Sequence, residues 1–302
     1  MTKKRLLSGL LFAALLFSNG GAKAECAPLV YRVTDTAGRC IYLLGTIHIG
    51  EPSMYPLSEA VETAYRESDV LAVELDLYTF NQSILKSLRY SAALMYGPGE
   101  DVTSHLSPET YALGLEKLGV APFMLKNMRP ALWYSLAENL IYSQAGLSPD
   151  YGVDLHLLKR AWQDGKRVDE LEGLDSQLNT LLALPDAALD FEIYQSLSNM
   201  EAAADAARGL MDAWETGDEE ALLMYLGETA EIAPEDLDDA YADFLDTLLG
   251  MRNEDFEVLA RGYLDRGEKA LIAIGAGHIV GQDGLAARLS RAGFTVTEIG
   301  RE

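Results

Sequence analysis

The amino-acid sequence predicts an α+β fold, a mixed central sheet with two similar strand-Gly-x-x-His units near its ends and a large helical region between them. Three observations carry this. The first is Cys40-Ile-Tyr-Leu-Leu-Gly-Thr-Ile-His48, whose apolar run is too short and too β-prone for an independent helix. The second is its echo, Lys269-Ala-Leu-Ile-Ala-Ile-Gly-Ala-Gly-His278, where a strand again ends in glycine, two small or uncharged residues and histidine. The third is residues 174–264, in which Leu, Ala, Asp and Glu recur at amphipathic helical spacing.

Taken in order, residues 1–24 hold Lys3, Lys4 and Arg5, an apolar core over 6–17 and the exit Ala22-Lys23-Ala24, the pattern of a secretory signal peptide cleaved after Ala24. The apolar run is shorter than the roughly 20 residues a spanning helix needs. Residues 25–302 are therefore expected to form one exported domain, periplasmic or secreted, with no stable membrane insertion. Residues 29–34 alternate as a strand, and 35–39 turn the chain into a second strand over 40–46. Gly45 is expected to make the sharp turn that aims His48 over the strand end. Cys26 and Cys40, the two cysteines of the chain, are expected to form a disulfide pinning these strands together.

Pro56 opens a helix reaching about residue 68, and 69–76 form an apolar strand ending in Glu74 and Asp76, so strand, helix and strand make a crossover unit. Helices are predicted over 78–95, over 107–119 with Ser107 as cap and Pro108 at its first position, and over 121–127, 130–145 and 152–162. Residues 166–171 form a short strand reaching Glu172. The helical region is punctuated near Pro185, Gly217, Ala233-Pro234 and Gly250. The chain closes with a strand over 269–275, a helix over 284–292 and a strand over 294–298. His48 followed by Glu74 thus echoes His278 followed by Glu298, as in an internal duplication of which Glu298 is the weaker half.

The 47 acidic and 24 basic residues give a formal charge of −23, and losing the signal would remove four bases and no acid. Such a surface repels nucleic acid and anionic lipid, while cationic peptides remain compatible partners. There is no GxSxG, no P-loop and no GxGxxG after a strand, so those enzyme classes lose their usual warrant.

Two histidines presented alike from distant parts of the chain point to a shared divalent-metal site with carboxylates. Glu74 is the best carboxylate, because a charge at a buried strand end needs a cation partner. Two histidines and one or two acids would leave a position for water, whose pKa a metal lowers for attack on a carbonyl. The alternative is that each histidine caps a strand turn. His105, in a polar loop, and His156, on an amphipathic helix, read as structural. Asp154 suits a helix N-terminus as cap or dipole partner. Glu172 follows a strand, and Arg252 could pair with an acid or steady an oxyanion; Arg129, before Pro130, has the same options.

Tyr-Leu-Leu-Gly-Thr-Ile-His48, the Val-Glu74-Leu-Asp strand, Tyr-Gly-Val-Asp154-Leu, Gly-Lys-Arg-Val-Asp-Glu-Leu-Glu172 with Gln177, Met-Arg252-Asn and Ala-Ile-Gly-Ala-Gly-His278-Ile-Val-Gly together resemble the TraB/GumN family, which also contains the PrgY proteins and the TIKI proteases. The resemblance implies a fold related to the erythromycin-esterase and ChaN-like group and a metal-dependent hydrolase or peptidase. Carried over by position, it implies that His48, His278, Glu74 and Asp154 hold a divalent metal (Mn, Co or Zn) and that Glu74, Glu172 and Arg252 serve catalysis on a peptide or protein substrate. Many relatives have tryptophan after the basic-Pro pair, where this chain has Ala131. The rival expectation is a non-catalytic module that sequesters a peptide or metal. Mass spectrometry of the exported protein should find Glu25 as its first residue; an exported form that retains residues 1–24 would contradict the signal-peptide reading.

Overall fold

The structure, a computed structural model, describes residues 26–226 and 237–300. The expected signal peptide and the expected break at Ala233-Pro234 lie outside the described residues. Strands β1 (Val30–Thr34), β2 (Cys40–Thr46), β3 (Val70–Val73), β4 (Arg167–Glu170), β5 (Ala270–Gly275) and β6 (Thr295–Ile299) form one sheet in the order β4-β3-β5-β2-β1-β6. β2, β5, β3 and β4 are parallel neighbours, while β1 is antiparallel to both β2 and β6. The sheet is therefore mixed and the fold α+β, with the two strand-Gly-x-x-His segments adjacent at its centre.

The helices are α1 (Glu59–Glu67), α2 (Leu77–Gln82), α3 (Ile84–Ala93), α4 (Pro108–Lys117), α5 (Pro122–Lys126), α6 (Pro130–Gln144), α7 (Val153–Asp164), α8 (Leu174–Ala183), α9 (Asp186–Ser198), α10 (Met200–Thr216), α11 (Glu219–Tyr225), α12 (Asp238–Leu245), α13 (Met251–Arg266) and α14 (Leu285–Arg291). Their starts follow local chemistry. Ser58 accepts from the Val61 N–H, Ser107 from Thr110 and Asp76 from Thr79, each satisfying an orphan donor of the first turn. Asp76, expected as a strand-end acid, is thus the cap of α2.

Alternation along the strands sorts the sheet into two faces. Tyr42 and Leu44 pack with Leu71, Val73 and Leu271 under α1, α7 and α10, whereas Ile41 and Leu43 pack with Ile272, Phe256 and Leu264 under α13 and α14. A third apolar cluster, centred on Trp133 of α6 and Ile193 of α9, holds the helical region together.

Four expectations are corrected. Gly45 is a strand residue opposite Ile274, not a turn; a Cβ there would stand 3.0 Å from the Ala276 Cα, so glycine lets the segment after β5 close on β2. No disulfide joins Cys26 and Cys40. Cys40 stands opposite Thr34, whereas Cys26 precedes Val30 at the other end of β1, a strand that itself spans about 13 Å. A bridge needs Cα atoms within about 7 Å. Gly250 does not break its helix: residues Asp246–Gly250 form a π-helical turn linking α12 to α13. Glu298 sits opposite Tyr31 on edge strand β6, beyond β1 from β2, and so does not complete an echo of Glu74.

Unfolded without reductant, the protein should alkylate at both Cys26 and Cys40. Labelling that appears only after reduction would contradict the β1–β2 register as the determinant of thiol state.

Candidate functional site

In the parallel β2–β5 ladder Thr46 stands opposite Gly275, so the two strands end at one level. His48 follows β2, and a 3-10 turn, Ala276–His278, follows β5. Glu74 and Glu172 are delivered in the same way, just beyond the parallel pair β3 and β4, with the Glu172 and Gly173 N–H groups both donating to the Glu74 carbonyl. Two histidines and two acids thus share one edge of the sheet.

The histidines are held differently. The His48 Nδ1 faces Asp154 Oδ2 at 2.8 Å, and Thr46 Oγ1 donates to Asp154 Oδ1 at 2.5 Å. Asp154 lies in the first turn of α7, whose start is tied to the sheet by the Val153 N–H donating to the Ile47 carbonyl at 2.9 Å. The Asp154 side chain is 10% exposed and that of His48 62%, so a buried anion stands behind a ring that opens outward. The negative charge of Asp154 is the main reason the His48 pKa is raised to about 10. Asp154 therefore does not cap its helix and does not face the opening; its position is behind His48.

His278 is buried, its Nδ1 2.7 Å from Asn253 Oδ1 and its ring edge-on to Phe256. Asn253 Nδ2 donates to the Asp283 carbonyl at 3.0 Å, which fixes the amide so that its oxygen faces the imidazole. An amide oxygen only accepts, so Nδ1 carries the proton and Nε2 keeps the lone pair. Burial pushes the pKa of His278 down to about 4, leaving the ring neutral at neutral pH.

Glu74 is buried, with Oε1 accepting from the Gly275 N–H at 2.7 Å and Oε2 from Arg252 Nη2 at 2.5 Å. Burial opposes its charge, but His278, Arg252, His48 and the Gly275 amide outweigh it and hold the pKa down to about 2. Because His278 is neutral above about pH 4, at neutral pH Arg252, His48 and the amide do this work. Arg252 also binds Glu172 through Nε at 2.6 Å and Nη2 at 2.8 Å, and its Nη1 donates to the Leu248 carbonyl at 2.9 Å. That carbonyl lies in the π turn, where the widened ladder frees it for a side chain. Gln177 Nε2 reaches both Glu74 and Glu172 at 3.4 Å.

Glu74 Oε1, His48 Nε2 and His278 Cδ2 lie 3.3, 3.7 and 3.7 Å from the point a Cβ on Gly275 would occupy. This shared opening belongs to a cavity of about 510 Å³ whose polar end is Thr46, His48, Glu74, Arg252 and His278. Glu172 is held against Arg252 rather than lining it. Among the described residues no group of three or more His, Cys, Asp or Glu side chains is arranged so that it could hold a metal ion.

His105 is flanked by Asp186 and Glu100 and stacks on Tyr96, which Arg129 covers with its guanidinium; His156 stacks on Tyr55. All are outside the cavity lining. Sequence reasoning missed Asn253, the Gly275 N–H and Thr46. Asn253 alone left a signal, an amide beside Arg252 on a helix with an apolar inner face.

Compared with known proteins, the chain matches the TraB/PrgY/gumN family over residues 29–298 and belongs to that family. It is 32% identical over 160 residues to the uncharacterised protein YbaP of Escherichia coli (strain K12), and equally to that of Shigella flexneri, a match covering 52% of this chain and 57% of each relative. The chain thus spans little more than half the length of the curated relatives it matches. No solved structure matches.

Arg252→Met should cost on the order of 3–5 kcal/mol by chemical denaturation, because it leaves two buried carboxylates without their cation, and adding Glu74→Gln and Glu172→Gln should restore most of it. In the wild type the stabilisation from Glu74 should be complete above pH 4.5, its ordinary value, and lost as pH falls towards about 2. A midpoint indifferent to Arg252→Met would contradict the clamp.

Proposed function

We propose that this member of the TraB/PrgY/gumN family is a metal-dependent hydrolase of peptide or related acyl bonds, acting in the periplasm or as a secreted protein. One observation carries the reading: His48 Nε2, Glu74 Oε1 and His278 Cδ2 surround one opening, while both Nδ1 atoms are held from behind by Asp154 and Asn253. Imidazoles oriented through Nδ1 and meeting at one opening suit a divalent cation such as Mn²⁺, Co²⁺ or Zn²⁺, which would displace the proton from His48 Nε2. In this reading Glu74 exchanges one of its contacts with Arg252 and Gly275 for the metal, which it holds together with His48 and His278, and Asp154 orients His48 instead of serving as a ligand.

A bound metal would supply Lewis acidity and a nucleophilic water. The chain supplies the rest. Glu74, whose oxygens accept from Gly275 and Arg252, is weakened as a base and suited to holding positive charge. Glu172 fixes the Arg252 guanidinium in place. The contacts to Glu74, Glu172 and Leu248 occupy four of the guanidinium's hydrogens, leaving one for a substrate carbonyl oxygen as it becomes an oxyanion. The reading also treats the two strand-Gly-x-x-His units as an internal duplication and the fold as related to the erythromycin-esterase and ChaN-like group.

The second reading, a non-catalytic module that sequesters a peptide or metal, is favoured by the engagement of Glu74 with Arg252. Metal-stripped protein assayed on a peptide library before and after adding Mn²⁺, Co²⁺ or Zn²⁺ separates the two. Restored cleavage, with metal lost from His48→Ala and His278→Ala, supports the hydrolase; tight peptide binding with no product under any metal supports the sequestering module. Asp154→Asn should weaken metal affinity by about 10–100-fold. Gly275→Ala, at ordinary backbone angles (φ −48°, ψ 139°), should fold yet place a methyl 3.3 Å from Glu74 Oε1 and block the opening. Full activity in that variant would contradict the placement of the site.

A further inference from the structure

The cavity does not end at the histidines. It continues past Ala203, Ala207 and Leu210 of α10 to a second polar group contributed by α6, α9 and α12, where Glu138 and Glu192 line the same space. Tyr142 donates to Glu138 at 2.8 Å, Tyr134 bonds the same carboxyl, and Tyr241 bonds Glu192. Burial pushes both carboxyls above the usual range, and the charge of Glu192 adds to that effect on Glu138. His48 and Glu138 line one continuous cavity, so the two polar groups are open to a single ligand.

Phenol donors satisfy the hydrogen bonding of a buried carboxylate without neutralising it. Among the described residues neither glutamate takes part in any of the ion pairs that hold the other acids of the site. Among the described residues, the cation lining the cavity apart from the histidines is Arg252, and it is committed to Glu74 and Glu172. Among the described residues no cation pairs with either acid, and an apolar wall separates both from the candidate reaction centre, which describes a binding site by difference: the positive charge at this end comes with the ligand. The volume, about 510 Å³, is within the range of built ligand sites.

We propose that this cavity takes a substrate joining an apolar segment to an organic ammonium group, with the ammonium beside Glu138 and Glu192, the apolar segment along α10 and the reacting bond at His48 and His278. The proposal rests on the hydrolase reading for the last of these placements only. The ammonium belongs to a lysine side chain or to a free peptide N-terminus, and the experiment separates the two.

Calorimetry on the wild-type full chain, kept metal-free so that no turnover occurs, would compare three amidated peptides: acetylated Leu-Leu-Ala-Lys, acetylated Leu-Leu-Ala-norleucine, and Leu-Leu-Ala-norleucine with a free N-terminus. At least one cationic peptide should bind about tenfold or more tightly than the acetylated norleucine peptide, as expected for hydrogen bonds to a charged group. The preference should vanish in Glu138→Gln/Glu192→Gln, with the neutral peptide's affinity unchanged, and persist in the exposed-acid control Glu116→Gln/Glu201→Gln, which rules out attraction by net charge. If the double variant fails to fold by circular dichroism, Glu192→Gln alone should reduce the preference. Equal binding of all three peptides, no binding of any, or a preference that survives removal of both glutamates overturns the proposal. Because binding is read without chemistry, cation-selective binding with no cleavage under any metal would sink the hydrolase and leave this cleft standing, whereas cleavage indifferent to charge would do the reverse.

Discussion

The pairing of Thr46 with Gly275 in the parallel β2–β5 ladder is the constraint from which the site follows. Strand side chains alternate with period two, so slipping this ladder by one residue would turn the core of β2 to the wrong face and shift His48 relative to His278. Parallel neighbours need long crossovers, which is why histidines near opposite ends of the chain finish side by side. β3 and β4 extend the same parallel set and bring Glu74 and Glu172 to the same edge. In sheets of this kind the carboxyl ends of parallel strands are where ligands are accommodated, and here four such ends each deliver one titratable residue.

Similar sequence does not produce similar histidines. His48 opens into the cavity with an anion behind it, whereas His278 is buried with a neutral amide behind it and an aromatic edge against its ring. The first is biased towards the charged form and the second away from it. The acids are sorted by the same logic: Arg252 spans Glu74 and Glu172, so two buried carboxylates share one guanidinium, and a π turn supplies the carbonyl that completes its bonding. Removing Arg252 leaves two buried carboxylates without their cation, whereas removing either acid leaves the guanidinium paired with the other.

Much of this was legible in the sequence because it rests on local chemistry. Short β-prone runs ending in Gly-x-x-His identified β2, β5 and both histidines, and strand-end acids identified Glu74 and Glu172. The helices over 107–119 and 130–145 followed from Ser107-Pro108 and Pro130. What could not be read was set by pairing across the chain. The β1–β2 register separates Cys26 from Cys40, although their spacing in sequence suits a hairpin bridge. Gly45 marks close packing against Ala276, which a single strand cannot reveal. Asp154 resembles any first-turn acid until α7 is docked on the end of β2, and Gly250 resembles any helix breaker until the Leu248 carbonyl acquires a side-chain donor. Asn253 and the Gly275 N–H matter only through their partners.

The family places this chain among proteins whose matched curated relatives are uncharacterised, so the account turns on a spatial claim: the two imidazole Nε2 atoms address one cation. Anomalous diffraction at the zinc edge from crystals of the full protein soaked in Zn²⁺ addresses it most directly. The account predicts a peak at the Gly275 opening, bonded to His48 Nε2 and His278 Nε2 and absent from His278→Ala crystals. Peaks confined to surface acids, with the two rings bound to nothing in common, would contradict it.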